Sequence, residues 1–142
     1  MTIRAILGGA SRDLISVTAE TSVRDTVALL AEKRIGAVPV LDGDDVVGIF
    51  SERDVIHALA ANGADALDGK VGDVMTAPAI TVTPEEAAIG ALSLMTRRRI
   101  RHLPVIEDGR VTGIVSIGDL VKYRIDRIEA DAAAMRDYIQ SA

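Results

Sequence analysis

The chain has no cysteine and no tryptophan, and its only Phe or Tyr side chains are Phe50, Tyr123 and Tyr138. Without thiols there are no disulfides, no thiolate metal ligands and no cysteine nucleophile. So little aromatic surface argues against binders that stack nucleic-acid bases. A net charge of -5 argues against polyanion partners in general, while leaving room for a small phosphate in a local basic pocket. No apolar run is long enough to span a bilayer, and Met1 to Gly8 lacks the apolar core of a secretory signal. A soluble, cytoplasmic protein without a membrane or nucleic-acid partner is the expectation. Catalytic signatures are missing too. Neither His57 nor His102 has a partner at metal-ligand spacing, and there is no Gly-x-Ser-x-Gly and no Gly-Lys-Ser/Thr phosphate loop. The chain reads as a binder, not an enzyme, with no required cofactor.

What is present is a duplication. Ile35-Gly-Ala-Val-Pro39-Val40 returns as Ile100-Arg-His-Leu-Pro104-Val105, and Gly48-Ile-Phe-Ser51-Glu-Arg-Asp54 returns as Gly113-Ile-Val-Ser116-Ile-Gly-Asp119. The front repeats as well, Ile15 to Glu20 against Ile80 to Glu85. The offset is 65 throughout (Ile35 against Ile100) and needs no gaps. Two copies are too few for a solenoid, so they are expected to pack face to face, with any site at the shared cleft. At 142 residues the two form one folded body.

Each copy predicts an α+β unit in the order strand, helix, strand, strand, helix. Ile15–Thr18 and Ile80–Thr83 are short β-branched runs. The stripes Val23, Val27, Leu30 and Ala88, Leu92, Met95 have helical spacing. Ser22-x-x-Asp25 and Thr83-Pro84-Glu85-Glu86 supply capping groups and acids for the two helix starts. The cations Arg97 to Arg99 suit a solvated helix end. Hairpins are expected over Ala37–Leu41 with Val46–Phe50, and His102–Ile106 with Val111–Val115, because Asp/Gly turns separate the runs. The strand before each helix is expected to lie parallel to the first hairpin strand. Ala60 to Lys70 reads as the linker, dividing the chain into residues 1–66 and 67–142. Val71 to Met75 resembles Ile3 to Leu7, so each copy has a short apolar lead-in.

The order of elements, the Pro-Val strand, the Gly-Ile-x-Ser-x-x-Asp ending and the tandem pairing resemble the CBS-domain pair, or Bateman module, over about Ile3 to Tyr123. The resemblance implies two units around a pseudo-two-fold axis with clefts for adenosine nucleotides (AMP, ADP, ATP or NAD(H)). Members usually regulate an attached enzyme, channel or transporter. None is present in this chain, which is similar to stand-alone members with an unidentified target. Ser51-x-x-Asp54 and Ser116-x-x-Asp119 read locally as capping boxes. By resemblance, Asp54 and Asp119 also receive the ribose hydroxyls. The adenine positions carried over are Leu14-Ile15 with Ala37-Val38-Pro39, and Ala79-Ile80 with His102-Leu103-Pro104. Pro39 and Pro104 lack an N–H and so interrupt the strand pairing there. Ser11 and Thr76 fall where the family often has a hydroxyl contact. For phosphate the candidates are Arg101, His102 and Arg53.

Beyond Asp119 the chain runs to Ala142 without Gly or Pro. Val121, Ile125, Ile128, Ala132, Met135 and Ile139 form a narrow seam spaced by threes and fours. Such a seam is expected to hold a homodimer; the bland alternative packs the helix on its own domain. The functional expectation is a regulatory adenosine-nucleotide sensor, and its rival is a constitutive dimeric scaffold with degenerate sites.

Overall fold

A computed structural model describes residues 1–8 and 14–141. In each repeat a helix leads into a two-stranded hairpin, and a second helix follows directly. The first repeat has α2 (Val23–Lys33), β1 (Ala37–Asp42), β2 (Asp45–Ser51) and α3 (Glu52–Asn62). The second has α5 (Ala88–Arg98), β3 (His102–Glu107), β4 (Arg110–Ser116) and α6 (Ile117–Ser141). The lead-ins are the short helices α1 (Ile3–Leu7) and α4 (Val71–Val74). Asn62-Gly63 ends α3 as expected, but the linker then coils into a 3-10 turn over Gly63–Asp68 that buries Ala66.

Both hairpins are antiparallel and carry the same irregularity, a register shift after Val40 and after Val105. Their two-residue turns use positive φ at Gly43 in one and at Asp108 and Gly109 in the other, the backbone that reversing a twisted ribbon requires. The stripes read from sequence point inward, with Val23, Leu30, Ala88 and Met95 all buried.

Two expectations need correction. The runs Ile15–Thr18 and Ile80–Thr83 do not form full strands; each pairs at a single parallel bridge, Val17 with Val40 and Val82 with Val105. The direction is as expected, and the shortness has a physical cause. Val17 N–H donates to the Pro39 carbonyl and Leu41 N–H to the Val17 carbonyl. Extending that ladder toward Ile15 requires an N–H at residue 39, which proline lacks. Pro104 does the same to Ile80. The start of α5 also differs. Thr83 to Glu86 closes a turn of its own, with Thr83 N–H donating to Glu86 Oε2 at 2.5 Å, and the helix begins five residues later at Ala88. There the Ala88 N–H is satisfied by the Met1 carbonyl. In the first repeat Ser22 caps α2 as read, accepting from Asp25 N–H at 3.0 Å.

That Met1 contact belongs to a larger exchange. The N-terminal lead-in packs on the second repeat: Ile3 lies in the core of Val82, Met95, Leu103 and Val115, and Thr2 bridges Ala87. The second lead-in packs on the first repeat: Val71 joins Val23, Val38 and Phe50, and Ser22 bridges Lys70. The units 1–66 and 67–142 in chain order are therefore not the packing units at their lead-ins. Each repeat is completed by a segment that chain order gives to the other.

Helix α6 buries Leu120 and then leaves the body. Ile125, Ile128, Met135 and Ile139 are all at least half exposed. The described residues leave this seam uncovered. Among the described residues no helix is long and apolar enough to cross a membrane.

Candidate functional site

The exchange of lead-ins decides which residues meet. Thr76 follows α4, pairs antiparallel with Ile49 at the free edge of β2, and donates its hydroxyl to Asp54 Oδ1 at 2.8 Å. The chain then continues to Ala79 and Ile80 beside the second hairpin. Asp54 of the first repeat is thus tied to Thr76, from the lead-in of the second. Ser11, the counterpart of Thr76, lies outside the described residues.

Both Ser-x-x-Asp boxes form, with a difference. Asp119 Oδ2 accepts from the Ser116 N–H at 2.9 Å, and Ser116 Oγ accepts from the Asp119 N–H at 3.1 Å. In the first repeat Asp54 Oδ2 accepts from both the N–H and the hydroxyl of Ser51, at 2.9 and 3.2 Å. With Thr76 on its other oxygen, Asp54 has both oxygens in use, and it is buried.

A cavity of about 830 Å³ opens at the interface of the repeats, lined by Leu14, Ile15 and Ala37 from the first and by His102, Gly113 and Ser116 from the second. Of the residues carried over by resemblance, Leu14, Ile15, Ala37, His102 and Ser116 are the ones gathered around one open space. The side chains of Val38 and Leu103 instead lie fully buried in the two cores, and Pro39 and Pro104 are buried with them.

The basic candidates separate in the same way. His102 lines the cavity with its ring against Gly36, where an added Cβ would lie 3.0 Å from His102 Cε1 and Nε2 and 3.6 Å from Glu52 Oε1. Burial pushes the imidazole below its usual pKa, with Glu52 and Asp119 pulling it up and Arg101 adding to the lowering. Arg101 is exposed and is not among the residues lining the cavity. Arg53 reaches across the interface instead, and its Nη1 donates to the Arg99 carbonyl at 2.6 Å. That carbonyl belongs to the αL residue closing α5.

Sequence reasoning missed Arg34, which lines the open cavity. It is the αL residue closing α2, with φ of 54°, and its counterpart at the repeat offset is Arg99, with φ of 55°. The available signal was the pair Arg34-Ile35 against Arg99-Ile100, set aside when the arginines before Ile100 were read as a helix end. Arg4 also lines the cavity, but its guanidinium is held by Glu107 and by Glu85. Among the described residues no cluster of His, Asp and Glu is arranged to hold a metal ion.

The architecture is therefore a tandem α+β pair with crossed lead-ins and an interface cleft, a frame defined by its duplication. The CBS domain matches residues 3–61 and again 71–126, and the chain belongs to the CBS-domain family. It is 37% identical over 128 residues to the CBS domain-containing protein CBSX3, mitochondrial, of Arabidopsis thaliana, covering 87% of this chain. The chain spans 62%, 35% and 36% of the lengths of three curated relatives. Among solved structures it resembles the CBS-domain pair of protein MJ0100 in complex with 5'-methylthioadenosine and S-adenosyl-L-methionine. The TM-score is 0.79 and the identity 25%, over 89% of this chain and 98% of the other. It also resembles the CBS domain protein PAE2072 from Pyrobaculum aerophilum complexed with AMP, with a TM-score of 0.74 and 26% identity over 84% of this chain and 89% of the other.

Proposed function

We propose that this chain is a regulatory module that binds an adenosine-containing nucleotide (AMP, ADP, ATP or NAD(H)) and reports it to a partner protein. The observation that carries the reading is the open interface cleft of about 830 Å³, a size suited to a small ligand. It is bordered by apolar strand positions and by Ser116, whose box partner is Asp119, on a frame whose relatives hold AMP in one case and 5'-methylthioadenosine with S-adenosyl-L-methionine in another. The moiety common to those ligands is adenosine. Ile15 and Ala37 offer a narrow apolar slot for a flat ring, and the interrupted ladder beside Pro39 leaves strand backbone to meet its edge. Asp119 offers a carboxylate to paired ribose hydroxyls. A ligand seated between repeats shifts their relative arrangement only through its different affinity for the alternative arrangements.

The test is a thermal-shift panel of AMP, ADP, ATP, NAD(H), 5'-methylthioadenosine and guanosine counterparts. A ligand at about a hundredfold excess over its dissociation constant stabilises the native state by about 2.7 kcal/mol, several degrees for a domain of this size. Adenosine compounds are expected to raise Tm and guanosine compounds to raise it less. A panel with no shift would leave the second reading standing.

That second reading is a constitutive dimeric scaffold, favoured by the exposed seam of Ile125, Ile128, Met135 and Ile139 on α6. In the proposed module the same seam joins two copies, so the two readings share a dimer and differ in the ligand. Ile128→Glu with Met135→Glu would bury like charges in a symmetric seam, where unpaired charge is costly. Sedimentation is expected to show a dimer weakened by tenfold or more, on the order of 1.4 kcal/mol, with the ligand-dependent shift retained. An undiminished dimer would move the interface to the repeats themselves.

A further inference from the structure

We infer that the seam on α6 joins two copies of this chain in parallel, with their repeat pairs at one end of the joined helices and their C-terminal ends together at the other. The inference deepens the dimer reading above and rests on it, since an apolar seam by itself leaves the direction of the second helix open. Helix α6 runs unbroken over Ile117–Ser141. Among the described residues, cover for its apolar side ends at Leu120. Val121 is 41% exposed and Ile139 65%, with Ile125, Ile128 and Met135 in rising order between them. In heptad terms Ile125, Ala132 and Ile139 occupy a positions, and Val121, Ile128 and Met135 occupy d positions. The flanking e and g positions carry the charges that set the direction of such a pair. Here Lys122, Glu129 and Arg136 fall at e, and Arg124 and Asp131 at g.

In a parallel pair each g side chain meets the e side chain of the following heptad on the other helix. Arg124 then faces Glu129 of the second copy, and Asp131 faces Arg136 of the second copy. Both contacts are attractive, and two-fold symmetry repeats each of them. In an antiparallel pair e meets e and g meets g. The register that matches the apolar positions pairs Val121 with Ile139, Ile125 with Met135 and Ile128 with Ala132. It sets Glu129 against Glu129 and Asp131 against Asp131, and it brings Lys122 toward Arg136. All of these contacts are repulsive. The same charged side chains therefore favour one direction and oppose the other. Among the described residues Arg124, Glu129 and Arg136 make no ion pair that would absorb their charge. Asp131 has Arg127 at 3.6 Å, with the cation on the N-terminal side, the weaker order for a pair within a helix.

The absence of cysteine makes single-cysteine variants of the full chain clean reporters of direction. A disulfide needs Cα atoms within about 7 Å, while positions 121 and 139 lie about 27 Å apart along a helix. Val121→Cys and Ile139→Cys should each link to its own kind under mild oxidation. Ala130→Cys, on the side of α6 opposite the seam, should not. Glu129→Lys sets a cation against Arg124 of the second copy and should weaken the dimer by about three- to tenfold at low salt. Adding Arg124→Glu to it should restore the wild-type affinity. A disulfide formed only in a mixture of the Val121→Cys and Ile139→Cys chains would overturn the inference. So would an unchanged dimer in Glu129→Lys, because an antiparallel pair merely exchanges one like-charged contact for another. Either result leaves the seam dimer standing, provided that Ile128→Glu with Met135→Glu weakens it. If that double variant dimerises as the wild type does, or if the wild type is a monomer, the seam reading falls and the direction with it.

Discussion

Gly48 and Gly113 occupy the same place in the two hairpins, yet they have very different neighbours. A Cβ at Gly48 would lie 2.7 Å from Met75 Sδ and 2.8 Å from the Thr76 carbonyl; at Gly113 the nearest of the described residues is Leu7, whose Cδ1 lies at 3.7 Å. The first hairpin is pressed against the crossing lead-in of the second repeat, while the second hairpin faces the open cavity. The same contrast runs through Arg53 and Gly118, and through Ala37 and His102. Duplication reproduced the backbone frame, and a few unmatched side chains then gave its two halves different chemistry.

The comparison can be broken first at the cores. Phe50 and its counterpart Val115 are both fully buried, but the aromatic fills a larger space in the first repeat. Phe50→Ala is expected to cost about 3–5 kcal/mol in denaturant unfolding, and Val115→Ala about 1.5–2 kcal/mol. Equal losses would mean that the first core collapses around the smaller side chain, and that the repeats are more alike in packing than their residues suggest.

The next contrast is at the hairpin glycines. Gly48→Ala must displace a backbone carbonyl as well as a flexible Met side chain, so a loss of about 1–3 kcal/mol is expected. Gly113→Ala enters ordinary contact distance and should stay within about 0.5 kcal/mol of wild type. If the two variants unfold alike, the crossing lead-in yields easily and its packing on the first hairpin is less rigid than the distances imply.

The smallest effect concerns pH and belongs to one side only, because His102 is matched by Ala37. Burial holds the His102 imidazole below its usual pKa. As pH falls, the unfolded chain takes up this proton first, near pH 6.5. The stability that His102 contributes is therefore complete above that point and is lost as pH falls through the lower folded value. His102→Gln should reduce the drop in Tm between about pH 7.5 and about pH 5.5. A drop of the same size in the variant would assign the titration to another group.

Much of the frame was legible because it depends on local pattern. The stripe Val23, Val27, Leu30 has one spacing whatever surrounds it, and the turns at Gly43 and at Asp108-Gly109 need backbone conformations that few residues adopt. Pro39 and Pro104 announced the interrupted ladder by lacking a donor. The full strands expected over Ile15–Thr18 and Ile80–Thr83 shrink to one bridge each for that same reason. Arg34 was missed because its use depends on where α2 ends relative to the other repeat. Arg53 was set among the phosphate candidates because no local pattern shows the Arg99 carbonyl waiting across the interface.

The sequence alone therefore determined the duplicated α+β unit, its turns, its inward-facing stripes and the uncovered seam on α6, since each follows from spacing and backbone chemistry within a few residues. The tertiary structure alone decided that the lead-ins cross, that Asp54 meets Thr76, and that Arg53 reaches the Arg99 carbonyl across the interface. Those outcomes depend on distances between residues far apart in the chain, and close packing of the two repeats against each other is what sets them.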